Sequence, residues 1–123
     1  MRTSERYPVT SGDIIVNTAS RLFSVTEITA DQLPAPVYCG DILNSETFAL
    51  WNITDASGVP FINLTDCEVI DVKPRTLVRV DRNTVIADFY LRAADDASKK
   101  EALKRITADG SIRLAINSDY FKA

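Results

Sequence analysis

Apolar and polar positions alternate along much of this chain with a period of two, the spacing of half-buried strands. Asp13-Ile14-Ile15-Val16-Asn17-Thr18 is rich in β-branched residues, and Leu22-Phe23-Ser24-Val25-Thr26-Glu27-Ile28 alternates cleanly. Only Ala19-Ser20-Arg21 separates them, which predicts a hairpin. Residues 30–44 carry Pro34, Pro36 and Gly40. Two missing backbone donors make this a loop with at most one short edge strand, at Val37-Tyr38. Residues 48–53 read as a strand, Asp55-Ala56-Ser57-Gly58 as a turn and residues 59–64 as the returning strand. Residues 67–72 give another strand, stopped by Pro74. Residues 77–80 and 84–91 flank Asp81-Arg82-Asn83 and predict a second hairpin.

One segment changes period. Asp95 or Asp96 supplies an N-cap carboxylate, and Asp95/Lys99, Asp96/Lys100 and Glu101/Arg105 follow at i,i+4 with acid before base. Lys104 and Arg105 suit the negative end of the dipole, and Gly110 suits the left-handed stop. Its apolar stripe of Ala97, Ala102, Leu103 and Ile106 is narrow enough to dock on one side of a sheet. The last strand, residues 111–117, places Ile112, Leu114 and Ile116 on one face, and Tyr120-Phe121 folds back or meets a partner. The sum is a β-rich α+β protein. We expect a curved antiparallel sheet or small barrel of about seven strands with one helix before the last, an order compatible with an SH3-like topology. Residues 1–12 read as a loose segment and residues 13–123 as a single globular domain.

Composition narrows the chemistry. The 123 residues are 46% hydrophobic and 25% charged, the balance of an ordinary globular chain. No apolar run is long enough to span a bilayer and none follows the charged N-terminus, so the expectation is a cytoplasmic protein without a membrane partner. Fourteen basic residues against seventeen acidic ones give a net charge of −3 and disfavour nucleic acid, which would need Arg75, Arg79, Arg82 and Arg113 to converge.

The chain contains no histidine, which removes Ser-His-Asp and Cys-His catalysis and imidazole metal ligands. Its four glycines have no Walker or dinucleotide spacing. Cys39 and Cys67 read as reduced thiols, Cys67 as a small core residue and Cys39 as the more exposed, and neither has a neighbouring cation to activate it. Asp66, Glu68 and Asp71 lack the calcium-loop pattern. We therefore expect no cofactor and no metal site.

Two constellations remain. On the 84–91 strand Asp88 shares a face with Ile86 and Tyr90, opposite Val85, Ala87, Phe89 and Leu91. Covered on both faces, Asp88 would be desolvated and could serve as a general base, with Tyr90 as hydrogen-bond partner and Arg92 as anion contact. The plainer reading puts all three on the wet face of the sheet. The second constellation is Tyr38 and Trp51, which flank the proline loop and suggest a ligand or partner groove, Trp51 having also a core reading. The expected function is a non-enzymatic binding or assembly module. Its partner would be itself, as a homo-oligomer, or another protein, in the manner of small accessory proteins of phages and other mobile elements. The alternative is a histidine-free enzyme or small-molecule binder with a carboxylate–tyrosine pocket.

Overall fold

The computed structural model describes residues 14–18, 25–31, 33–55, 57–68, 74–82 and 84–115. In chain order these form β1 (Ile15–Thr18), β2 (Val25–Ala30), β3 (Ile42–Asn44), β4 (Pro60–Ile62), β5 (Arg75–Val80), β6 (Thr84–Ile86), α1 (Asp96–Ile106) and β7 (Ile112–Leu114). The expected small, sheet-rich α+β architecture is present among the described residues, with an 11-residue helix before the last strand. Among the described residues the strands fall into three small sheets, β1-β6-β7, β2-β5 and β3-β4, and no barrel closes. The loose segment expected at residues 1–12 and the tail at Tyr120-Phe121 lie outside the described residues.

The pairings depart from the expected hairpins. β1 pairs antiparallel with β6, and β2 pairs antiparallel with β5 in a register running from Val25↔Val80 to Ala30↔Arg75. Among the described residues neither expected hairpin forms: β5 and β6 belong to different sheets. The sheet is also not wholly antiparallel: β6 and β7 run parallel, Thr84↔Ile112 to Ile86↔Leu114. A parallel pair needs a crossover, and α1 supplies it. The expected 48–53 strand reduces to isolated bridges, Leu43 with Leu50 and Asn52 with Asp55, and β4 pairs with β3 instead.

Two hydrophobic cores lie on either side of the β3–β4 ribbon. Paired residues Ile42 and Ile62 belong to one core, with Trp51, Ile86, Leu91, Leu103, Ile112 and Leu114. The next pair, Leu43 and Phe61, belongs to the other, with Ala30, Leu33, Val37 and Leu77. Successive side chains of a strand point to opposite faces, so a three-residue ribbon partitions the interior. Both faces are covered, and all six ribbon residues are buried.

Local chemistry explains α1. The Asp95 carboxylate accepts a 2.7 Å hydrogen bond from the Ser98 N–H, satisfying an orphan donor of the first turn. Asp96 in that turn and Lys104 and Arg105 in the last complement the dipole, and Arg105 reaches Glu101 at 2.8 Å. The helix ends before the expected stop, with Thr107 as C-cap, and Gly110, three residues further on, takes φ +80. The helix buries Ser98, Ala102 and Leu103 and packs against β4.

Candidate functional site

The proline loop is pinned rather than free. Val37 and Cys67 exchange backbone hydrogen bonds of 3.0 and 2.8 Å, the short edge pairing expected near Tyr38. The Tyr38 carbonyl accepts from the Asp41 N–H and from Asn63 Nδ2, both at 3.0 Å. The Cys39 N–H donates to Asp66 Oδ1 at 2.8 Å. Asn63 is fully buried, and its Nδ2 also donates to the Thr65 carbonyl while its Oδ1 accepts the Thr65 N–H. The buried amide thus locks residues 38–41 to residues 63–66.

Asp41 and Arg92 complete this hub. Asp41 is buried, and its Oδ1 and Oδ2 accept from Arg92 Nε and Nη2, each at 3.0 Å. Oδ2 also accepts the Tyr38 N–H at 2.9 Å. The Arg92 main chain repeats the attachment, its N–H donating to the Gly40 carbonyl and its carbonyl accepting the Ile42 N–H. A bidentate guanidinium–carboxylate pair is the strongest form of this contact. The cation expected to greet an anion beside Asp88 is therefore directed at Asp41.

The expected face of Asp88, Tyr90 and Arg92 does not form, because the strand ends at Ile86. The Leu91 N–H turns back to the Asp88 carbonyl at 3.2 Å. Asp88 is only 3% exposed, and Tyr90 packs against the larger core. Between them Phe89 stands 67% exposed, its ring edge-on to Tyr90 with centroids 4.9 Å apart. Trp51 takes its core reading, fully buried, with the Arg105 guanidinium 5.3 Å from its ring centroid and Nε1 without a hydrogen-bond partner. The two thiols exchange their expected roles: neither is in a disulfide, and Cys39 is buried whereas Cys67 is half-buried.

A groove the sequence reading missed lies along α1. It encloses about 440 Å³ and is lined by Ile53, Ala97, Lys100, Glu101, Lys104 and Arg105. The five helical residues recur at three- and four-residue spacing, so their common face was legible. The approach of Ile53 from 45 residues upstream was not: the Ser98 hydroxyl accepts the Ile53 N–H at 3.1 Å. The Asp95 carboxyl is held below its ordinary value of 3.8, first by the Ser98 N–H and then by the Ser98 hydroxyl. The Arg105 hydrogen bond holds Glu101 below 4.5. A smaller cavity of about 160 Å³ lies between Phe61, Arg79, Ile106 and Ser111. Neither cavity is lined by Tyr38, Asp88 or Tyr90.

Among the described residues no group of three or more Cys, Asp or Glu side chains is placed to hold a metal ion. No helix among them is long and apolar enough to cross a membrane. The sequence matches no family model, and neither a curated protein nor a solved structure is significantly similar to it. The site is thus defined by its own geometry: a rigid polar hub, an outward aromatic turn and a basic groove.

Proposed function

We propose that this chain is a non-enzymatic binding or assembly module that self-associates. The observation that carries the reading is Phe89, a large apolar side chain left two-thirds in water on a turn whose flanking residues, Asp88 and Leu91, are buried. The turn is short and its Tyr90 neighbour braces the ring, so little conformational entropy is lost when a partner covers it. Aromatic anchors of this kind dominate interface energetics. Light scattering behind size exclusion, run from micromolar to millimolar protein, tests the proposal. A mass above 13.6 kDa that falls to the monomer value in Phe89→Ser supports it. A monomer at every concentration overturns it.

A second reading, a small-molecule binder that uses the carboxylate, is favoured by the burial of Asp88 beside the exposed Phe89. It requires a compound that raises the melting temperature of the wild type and not of Asp88→Asn. A fragment library without such a compound removes it.

A further inference from the structure

We propose that the α1 groove is a docking site for a short acidic peptide segment that carries apolar side chains, supplied by another protein. The groove combines two features that are individually ordinary and jointly selective. Its apolar part is Ile53 beside Ala97, and Ile53 is 43% exposed. Its polar part is three cations, Lys100, Lys104 and Arg105, facing one carboxylate, Glu101, on a protein whose net charge is −3. A local positive excess on an acidic molecule selects acidic partners and steers their approach.

The groove is also built in advance. The Ser98 hydroxyl fixes the Ile53 backbone to the helix, and Ser98 is itself fully buried. Arg105 is held from two sides, by Glu101 at 2.8 Å and by the buried ring of Trp51. Lys100 and Lys104, one turn apart, are exposed at the rim. An extended nucleic acid would need a basic strip along its backbone and would meet the overall negative charge. A peptide needs only this patch, with an apolar side chain on Ile53 and carboxylates on Lys100 and Lys104.

Trp51 is the single tryptophan of the chain and lies against Arg105, so its fluorescence reports on this groove. The full-length protein is titrated with a synthetic peptide of alternating leucine and glutamate. Polyglutamate, a leucine–lysine peptide and a single-stranded oligonucleotide serve as comparison probes. The leucine–glutamate peptide is expected to give a saturable Trp51 response, at least about tenfold weaker in Lys100→Glu/Lys104→Glu and in Ile53→Ser. Both variants change exposed side chains, and circular dichroism establishes that they fold. Absence of saturation at millimolar peptide overturns the proposal. So does equal binding by polyglutamate or the oligonucleotide, or binding that the variants leave unchanged. A Trp51 response to dilution of the protein alone assigns the groove to a second copy of the chain and overturns the peptide assignment. The Phe89 turn is tested by mass rather than fluorescence, so either proposal can fail alone.

Discussion

Arg92 holds Asp41 through both carboxylate oxygens, Nε to Oδ1 and Nη2 to Oδ2 at 3.0 Å each, across 51 residues of sequence. The carboxylate is sealed from water, whereas the Arg92 side chain remains 26% exposed. That asymmetry decides which partner is costlier to remove.

Arg92→Met leaves an ionised carboxylate in the interior and is expected to cost about 3–5 kcal/mol. Asp41→Asn leaves a cation that already reaches solvent and keeps a polar group for the Tyr38 N–H, so about 1–2 kcal/mol is expected. Urea unfolding of the two variants gives the comparison. Equal losses would mean that Arg92 does not neutralise Asp41 in the folded protein.

Ser98 links the helix cap to the groove. Its N–H donates to Asp95, and its hydroxyl accepts from Ile53 and also acts on Asp95, so Ser98→Ala removes both hydroxyl contacts and keeps the N–H cap. The expected loss is about 1 kcal/mol, with faster hydrogen exchange at the Ile53 amide and helix content unchanged. Exchange measured by NMR separates this from a general loosening. Unaltered protection of Ile53 would mean that the hydroxyl does not hold the loop.

The carboxyls of Asp95 and Glu101 are both lowered in the folded chain, so folding favours their ionised forms. Their stabilisation is fully present above the ordinary carboxylate values of 3.8 and 4.5 and is lost as pH falls through the lowered folded values. Asp95→Asn tests the first contribution, since asparagine caps equally well but does not titrate. The variant is expected to show a shallower acid limb in thermal melts from pH 6 to pH 2 and to approach wild type only at the acid end, below the lowered Asp95 value. Identical limbs would show that Asp95 contributes no pH dependence.

The helix was legible in sequence because its causes are local: an N-cap acid, an i,i+4 pair at Glu101 and Arg105, and basic residues in the last turn. The positions of Val37, Ile112 and Leu114 followed from proline chemistry and alternation for the same reason. Strand pairing was not legible. The 77–80 and 84–91 runs have hairpin spacing, yet β5 finds β2 and β6 finds β1 and β7. Period-two alternation says which face is buried but not which strand lies beside it. The Asp41–Arg92 pair escaped notice because each residue has an ordinary reading alone, Asp41 in a loop and Arg92 after a strand. The groove escaped notice because Ile53 reaches α1 only through a tertiary hydrogen bond.

The thiols give the sharpest reversal of expectation. Cys39 precedes Gly40 in a loop and reads as exposed, but its backbone is tied to Asp66 and its side chain joins the larger core. Cys67, read as a core residue from its strand alternation, is only half-buried beside the smaller core. Thiol reactivity follows access to the thiolate. Iodoacetamide is therefore expected to label Cys67 first in the native protein, with Cys39 labelled only on the timescale of opening or unfolding. Peptide mass mapping over a time course, with and without denaturant, distinguishes the two. Native labelling of Cys39 at a rate equal to or above that of Cys67 would place Cys39 outside the core. It would also break the attachment of residues 38–41 to residues 63–66 on which the polar hub depends.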